Sequence, residues 1–199
     1  GATECAPVLA CNVPPSNTPG AVGALLTDIE TRIDPVPGIE EGGKLSVRGP
    51  NVMLGYMMPD RPGVLVPPAD GWHDTGDIVD VGDDGLIRIK GRAKRFAKVG
   101  GEMVSLQAVE NTVAAIWPDQ NHVVLSVPDD RRGEQLILMT EATDIDRAAL
   151  VDGFKARGCP ELWLPRRVVG VEEIPLLGSG KTDFPAAAAL YDTMLRDAA

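Results

Sequence analysis

The sequence is short of positive charge. Its 199 residues hold 19 Lys and Arg against 29 Asp and Glu, a formal net charge of -10. Such a surface repels phosphate backbones, so generic nucleic-acid binding is excluded. Cysteine is scarce too: Cys5, Cys11 and Cys159 make an odd count without metal-ligand spacing. That excludes a disulfide framework and suits a reducing compartment. Histidine is reduced to His73, which reads as an exposed loop residue, and His122, which heads a strand without a role. A His without Cys or carboxylate partners is rarely a metal ligand. No apolar run is long enough to cross a membrane, and no signal peptide opens the chain. A cytoplasmic protein is therefore expected. The chain lacks an initiator Met and opens directly on Gly1-Ala2-Thr3-Glu4. That start predicts a piece of a longer parent, whose missing part would carry any association with an inner membrane.

What is present suits a folded protein. Residues are 44% hydrophobic and 24% charged, the balance of a globular chain. The length fits one good domain or two small ones. Most of the excess acid falls before Gly91, so residues 92–199 are closer to neutral and have room for a basic face.

The stretch Gly71–Glu102 organises the rest. It begins as a polar loop holding Asp74 and Asp77. A short β unit follows, with Leu86, Ile87 and Ile89 after the turn residues Gly82, Asp83, Asp84 and Gly85. Gly and Asp supply hairpin geometry. A cationic strip then carries Arg92, Lys94, Arg95 and Lys98 before Gly100-Gly101. A carboxylate such as Asp77 accepts two hydroxyl donors and suits a ribose diol. Taken alone, Asp77 could equally cap a turn before the strand Ile78–Val81. The planar fork of Arg92 binds ribose or phosphate oxygens. An ordinary solvated strand edge explains the same cations, and a hairpin turn explains the glycines.

Before this stretch, residues 1–20 are rich in Pro, Asn, Ser and Gly and read as loop. Ile29–Ile33 and Lys44–Arg48 alternate as short strands, which predicts a small barrel or sandwich-like unit. After it, Ser105–Ile116 reads as a helix. Ser105 can cap it, and Leu106, Val109, Val113 and Ile116 form its apolar stripe. His122–Val127 and Gln135–Thr140 read as strands. Asp146–Arg157 reads as a second helix closed by Gly158, and Arg167–Val171 as a third strand. The run Pro175–Thr182 invites a phosphate-loop reading, but that pattern needs Gly where Pro175 stands. A Lys on such a Gly-rich loop can reach a carboxylate and a phosphate as charge moves between them.

Four motifs in this order resemble the adenylate-forming synthetases, which activate a carboxylic acid with ATP and pass it to a thiol. Gly71–Asp77 matches the family's G-W-x-x-T-G-D and Gly91–Arg95 its G-R-x-[DK]-x. Gly1–Glu4 resembles the end of Y-G-x-T-E, and Pro175–Lys181 fits P-x-x-x-x-G-K. The resemblance covers nearly the whole chain and implies a mixed α+β fold. Residues 1–91 would be the β-rich, barrel-like end of a large N-terminal domain. Residues 92–199 would be a compact α/β C-terminal domain, with its hinge at Lys94. It implies ATP/AMP and Mg²⁺ as cofactors: Thr3 on the α-phosphate, Glu4 on the metal, Asp77 and Arg92 on the nucleotide. Lys181 becomes catalytic, and Gly100 and Gly101 the loop beside a pantetheine thiol. Arg95 and Lys98 become contacts for an acidic carrier.

The wording of Gly91–Lys98, Gly101–Ser105 and Pro175–Lys181 is most similar to the acyl-[acyl-carrier-protein] synthetase region of a bacterial family. That family joins this synthetase to a 2-acylglycerophosphoethanolamine acyltransferase. It implies a fatty acid as substrate, acyl carrier protein as acceptor, and a fragment inactive alone. A fatty acyl-CoA ligase of the same mechanism and a non-catalytic carrier-docking module remain alternatives.

Overall fold

The computed structural model describes residues 1–14, 17–143 and 145–197. Pro15 and Ser16, part of the stretch read as loop, lie outside the described residues. The chain divides between Lys94 and Arg95 into two compact units.

The first unit is built from short strands. β1 (Ala10–Cys11) pairs with β2 (Ala24–Leu25). β3 (Glu30–Asp34), β4 (Gly43–Arg48), β7 (His73–Val81) and β8 (Ile87–Arg92) form an antiparallel sheet in the order β3-β4-β7-β8. Between them β5 (Tyr56–Met57) and β6 (Leu65–Val66) make a separate hairpin. Leu45 and Val47 of β4, Val79 of β7 and Ile87 of β8 meet Cys5 and Leu9 in one buried cluster. Burial of such side chains is what holds the sheet, at roughly 1.5–3 kcal/mol each. The barrel-like expectation is corrected here. Among the described residues β3 and β8 do not pair, so the four-stranded sheet stays open. The β8 edge is instead covered by Val22 and Gly23: Val22 N–H donates to Ile87 O at 2.8 Å and Ile87 N–H to Gly23 O at 3.0 Å.

The second unit is a five-stranded sheet covered on both faces. β9 (Phe96–Val99) and β10 (Glu102–Ser105) form a hairpin. β11 (His122–Asp129) and β12 (Gly133–Thr140) form a longer one, and β13 (Arg167–Gly170) runs parallel to β12. Successive strand residues point to opposite faces. Val124, Leu136 and Leu138 accordingly pack under α1 (Leu106–Ala114) and α2 (Arg147–Ala156) with Val109, Val113, Leu150 and Phe154. Val123, Leu125, Ile137 and Met139 pack on the other face against Ala187 and Tyr191 of α3 (Phe184–Asp197). Two covered faces explain why these strands read as continuous apolar runs. Ser105 caps α1 by accepting from Ala108 N–H, and Asp146 caps α2 by accepting from Ala148 and Ala149 N–H.

Helix α3 is absent from the sequence expectations, which stop at Lys181. Its signals are present. Asp183 accepts from Ala186 N–H at 3.0 Å as a cap. Pro185 lies in the first turn, where a missing N–H costs nothing.

Candidate active site

In the first unit, Asp77 lies within strand β7 rather than in a loop. Gly76 lets the strand bulge there, at φ +72. The pairing register slips between Ile78 and Val79. Thr75 is buried; its Oγ1 donates to Leu45 O at 2.9 Å and accepts from Asp77 N–H at 3.2 Å. Asp74 faces the other way, paired with Lys44 Nζ at 3.0 Å. Asp77 stands opposite Arg92 across the β7–β8 ladder. Arg92 Nε lies 3.1 Å from Asp77 Oδ1, and Arg92 Nη1 donates to Thr75 O at 2.9 Å. The Asp77 side chain is 19% exposed and that of Arg92 63%. Burial pushes the Asp77 carboxyl above its usual range, and Arg92 only partly offsets this. The pair is thus a carboxylate held at a fixed angle with a cation open to solvent beside it.

The opening motif borders the same place. Gly1 and Ala2 line a small depression of about 30 Å³ with Leu45, Thr75, Asp77 and Ile89. Thr3 and Glu4 follow in a tight turn, Thr3–Cys5, that buries Cys5. Thr3 is exposed. Tyr56 donates its hydroxyl to Glu4 Oε1 at 2.8 Å. The Glu4 carboxyl is held below its usual range, chiefly by a backbone N–H and then by Tyr56. It therefore stays ionised with one oxygen free of Tyr56. Among the described residues, no three His, Cys, Asp or Glu side chains gather as a metal cage. A lone ionised carboxylate fits a Mg²⁺ that draws its other ligands from phosphates and water. Tyr56 opens β5, and nothing around Gly55-Tyr56 marks a carboxylate partner, because Glu4 lies 52 residues away in the chain.

His73 is corrected. It is 8% exposed in β7, because alternation along the strand turns it inward with Thr75. Trp72 beside it lies under two guanidinium groups, Arg32 at 5.2 Å and Arg48 at 4.8 Å from the ring centroid.

In the second unit, Gly100 and Gly101 are the two-residue turn of the β9–β10 hairpin, at φ +61 and +95. Both positive angles favour glycine, so the turn alone accounts for the pair. Lys98 is exposed on β9. Arg95 is not. Its side chain is 13% exposed and paired with Glu110, itself 9% exposed. Arg95 Nη1 also donates to Val124 O at 3.1 Å, and the guanidinium stacks on Phe184 at 3.8 Å. Arg95 is therefore corrected from a carrier contact to an internal cation, because its charge is spent inside the unit. Lys94, in the turn Ala93–Arg95, is exposed at the boundary of the units.

Lys181 ends a tight loop. Leu176 bridges Thr182, Leu177 N–H donates to Lys181 O at 2.7 Å, and Gly180 N–H donates to Leu177 O at 2.8 Å. Lys181 is exposed. The helix that follows is capped by the Asp183 carboxylate. A carboxylate in that position occupies the N–H groups a phosphate loop would offer. The structure thus agrees with Pro175 in setting the phosphate-loop reading aside.

Asp77→Ala tests the first cluster. Charge-assisted hydrogen bonds contribute about 1.5–3 kcal/mol, so if Asp77 holds a nucleotide ribose, its loss should weaken ATP binding by the parent protein about 10- to 100-fold. The melting temperature should stay nearly constant. A carboxyl whose folded pKa is raised costs stability above that pKa and nothing below its unfolded value, so its removal at neutral pH leaves no deficit. A sharp fall in melting temperature with unchanged ATP affinity would make Asp77 a structural residue instead.

No family model matches the chain. Among curated proteins, it is 35% identical over 155 residues to the 2,3-dihydroxybenzoate-AMP ligase of Bacillus subtilis, covering 77% of this chain and 28% of that protein. It is 32% identical over 195 residues to the long-chain-fatty-acid–CoA ligase of Salmonella typhimurium, covering 91% of this chain and 33% of that protein. Against the crystal structure of ATP-bound MatB from Rhodopseudomonas palustris the TM-score is 0.75 at 27% identity. That match covers 96% of this chain and 39% of that one. The chain spans about a third of the length of the curated relatives it matches.

Proposed function

We propose that this chain, whose sequence and fold are those of the C-terminal region of an adenylate-forming enzyme, is part of an ATP-dependent acid–thiol ligase. One observation carries the proposal. A half-buried carboxylate, Asp77, is locked across two strands to the solvent-facing Arg92, at a depression that Gly1 and Ala2 also line. Structural rigidity on strands is what a nucleotide-orienting pair needs. The reaction has two halves. A carboxylate oxygen of the acid attacks the α-phosphorus of ATP, a P–O bond forms, and pyrophosphate leaves. A thiol sulfur then attacks the acyl carbonyl and AMP leaves.

Asp77 accepts the ribose hydroxyls and Arg92 donates to ribose or phosphate oxygens. Thr3 offers its hydroxyl to the α-phosphate, and Glu4 would hold Mg²⁺. A bound Mg²⁺ would supply neutralisation of phosphate charge. Lys181 brings a cation to the oxygens between which charge moves. Turning about Lys94 would exchange Lys181 for the Gly100–Gly101 hairpin between the halves. Lys94→Pro should therefore permit adenylation but stop transfer, since proline fixes φ near −65° and removes a donor. Separate assays of the two half-reactions check this, and equal rates for variant and wild type would move the pivot elsewhere.

The acid is a fatty acid, and CoA is the better-supported acceptor. With Arg95 buried, Lys98 alone remains of the proposed carrier contacts, and the relative matched over 91% of the chain is named a fatty-acid–CoA ligase. Acyl carrier protein is the second reading, favoured by the wording of Gly91–Lys98 and Pro175–Lys181. With it would go a parent fused to the acyltransferase, a cytoplasmic enzyme whose inner-membrane association lies outside this chain. Among the described residues no helix is long and apolar enough to cross a membrane.

The test supplies the purified full-length enzyme with ATP, palmitate and either CoA or carrier protein. AMP and a palmitoyl thioester are expected. Absence of acid-dependent exchange between ATP and pyrophosphate would sink the ligase reading. A thioester formed only on the carrier, with a KM raised by Lys98→Glu, would select the second acceptor.

A further inference from the structure

Arg95 and Phe184 are far apart in the chain but touch. The Arg95 guanidinium lies 3.8 Å from the Phe184 ring centroid. Arg95 begins the second unit, directly after Lys94. Phe184 begins helix α3, three residues after Lys181. Glu110 sits between them in function. Its Oε1 pairs with Arg95 Nη2 and accepts from Val124 N–H at 2.8 Å, so α1, β11 and Arg95 are tied at one point. Glu110, Thr182 and Phe184 also line a common cavity of about 250 Å³ with His122. The Lys181 loop is closed by its own backbone hydrogen bonds, but at its glycines nothing packs on it: a Cβ at Gly178 or Gly180 would meet nothing within 4 Å.

We infer that Arg95 is a positioning residue for Lys181, acting through its stack on Phe184. The inference rests on the ligase reading above for its consequence, not for its geometry. A planar guanidinium on an aromatic face fixes the ring in angle as well as in place. The ring anchors the first turn of α3, and Asp183 and Thr182 connect that turn to Lys181. The segment that leaves the hinge and the loop that carries the catalytic cation thus move as one body. Chain connectivity alone would not couple them. The loss of such coupling leaves Lys181 present but misplaced, and misplacement by about 1 Å can cost as much as 10²-fold in rate.

The test uses Phe184→Leu, which keeps apolar bulk and removes the ring face, and Phe184→Tyr, which keeps the face. Arg95→Lys keeps the charge and loses the planar stack. Amide hydrogen exchange is followed at Leu177 and Gly180, whose N–H groups close the loop, in this chain itself. Faster exchange is expected in Phe184→Leu and Arg95→Lys, and wild-type exchange in Phe184→Tyr. Unchanged exchange in Phe184→Leu overturns the coupling whatever the enzyme does.

In the full-length enzyme, kcat for adenylation should fall about tenfold in Phe184→Leu with the KM for ATP held and thiol transfer from preformed acyl-adenylate within twofold. Phe184→Tyr should restore it. Equal losses in both half-reactions, or a Tyr variant as slow as Leu, would mean a purely structural role and overturn the positioning claim. If the wild type forms no adenylate, the ligase reading fails, while the exchange data still decide the coupling.

Discussion

Lys181→Ala should slow acyl-adenylate formation in the full-length enzyme by about 10²–10³-fold, the usual loss when a donor aimed at developing charge is removed. The KM for ATP should change little, because the residues proposed to hold the nucleotide, Asp77 and Arg92, belong to the other unit. Transfer of a preformed acyl-adenylate to the thiol should be largely spared. The structure supports a local effect. Lys181 is exposed, and the loop around it is closed by backbone hydrogen bonds from Leu177 and Gly180, which an Ala side chain leaves intact. The variant should therefore melt with the wild type. Half-reactions measured separately check the division of labour. Equal loss in both would show that Lys181 holds something common to the two steps, such as AMP, rather than the adenylation charge.

Much of the fold was legible because periodicity and caps are local. Ser105 before the stripe Leu106, Val109, Val113 marks α1, and Asp146 and Gly158 bracket α2. The β7–β8 hairpin was also legible from its turn residues Gly82–Gly85, but the Asp77–Arg92 pair that it creates was not. What failed depended on distant partners. His73 reads as exposed because polar residues surround it, yet strand alternation turns it inward. Arg95 reads as one more cation in a basic strip. Its burial is set by Glu110 and Phe184, neither of which is near it in sequence. The available clue was Glu110 itself, a charge lying between Val109 and Val113 on the apolar side of α1. A carboxylate in that position demands a donor. Helix α3 carries a local signal as well, since Ala187, Leu190 and Tyr191 repeat at helical spacing.

That internal pair should be the most fragile polar feature of the second unit. Arg95→Met removes the cation and leaves Glu110 buried, still accepting from Val124 N–H. Breaking one side of a buried pair costs about 3–5 kcal/mol. The loss should depend on pH in a stated direction. Even with Arg95 present, burial pushes the Glu110 carboxyl above its usual range, ahead of the opposing pull of Arg95. Without Arg95 it rises further. A carboxyl raised on folding costs stability above its folded pKa and nothing below its unfolded value. The Arg95→Met deficit should therefore be largest at neutral pH and shrink as acid protonates Glu110. A second change, Glu110→Leu on the Arg95→Met background, removes the stranded carboxyl and should recover most of the loss. Well-packed apolar replacements of buried ion pairs are often neutral or better. Urea unfolding of the wild type, Arg95→Met, Glu110→Leu and the double variant at two pH values, one neutral and one near the carboxylate range, supplies the cycle. A deficit equal at both pH values would show that Arg95 stabilises by packing on Phe184 and not by charge. A double variant no better than Arg95→Met would show that Glu110 is held by Val124 N–H alone.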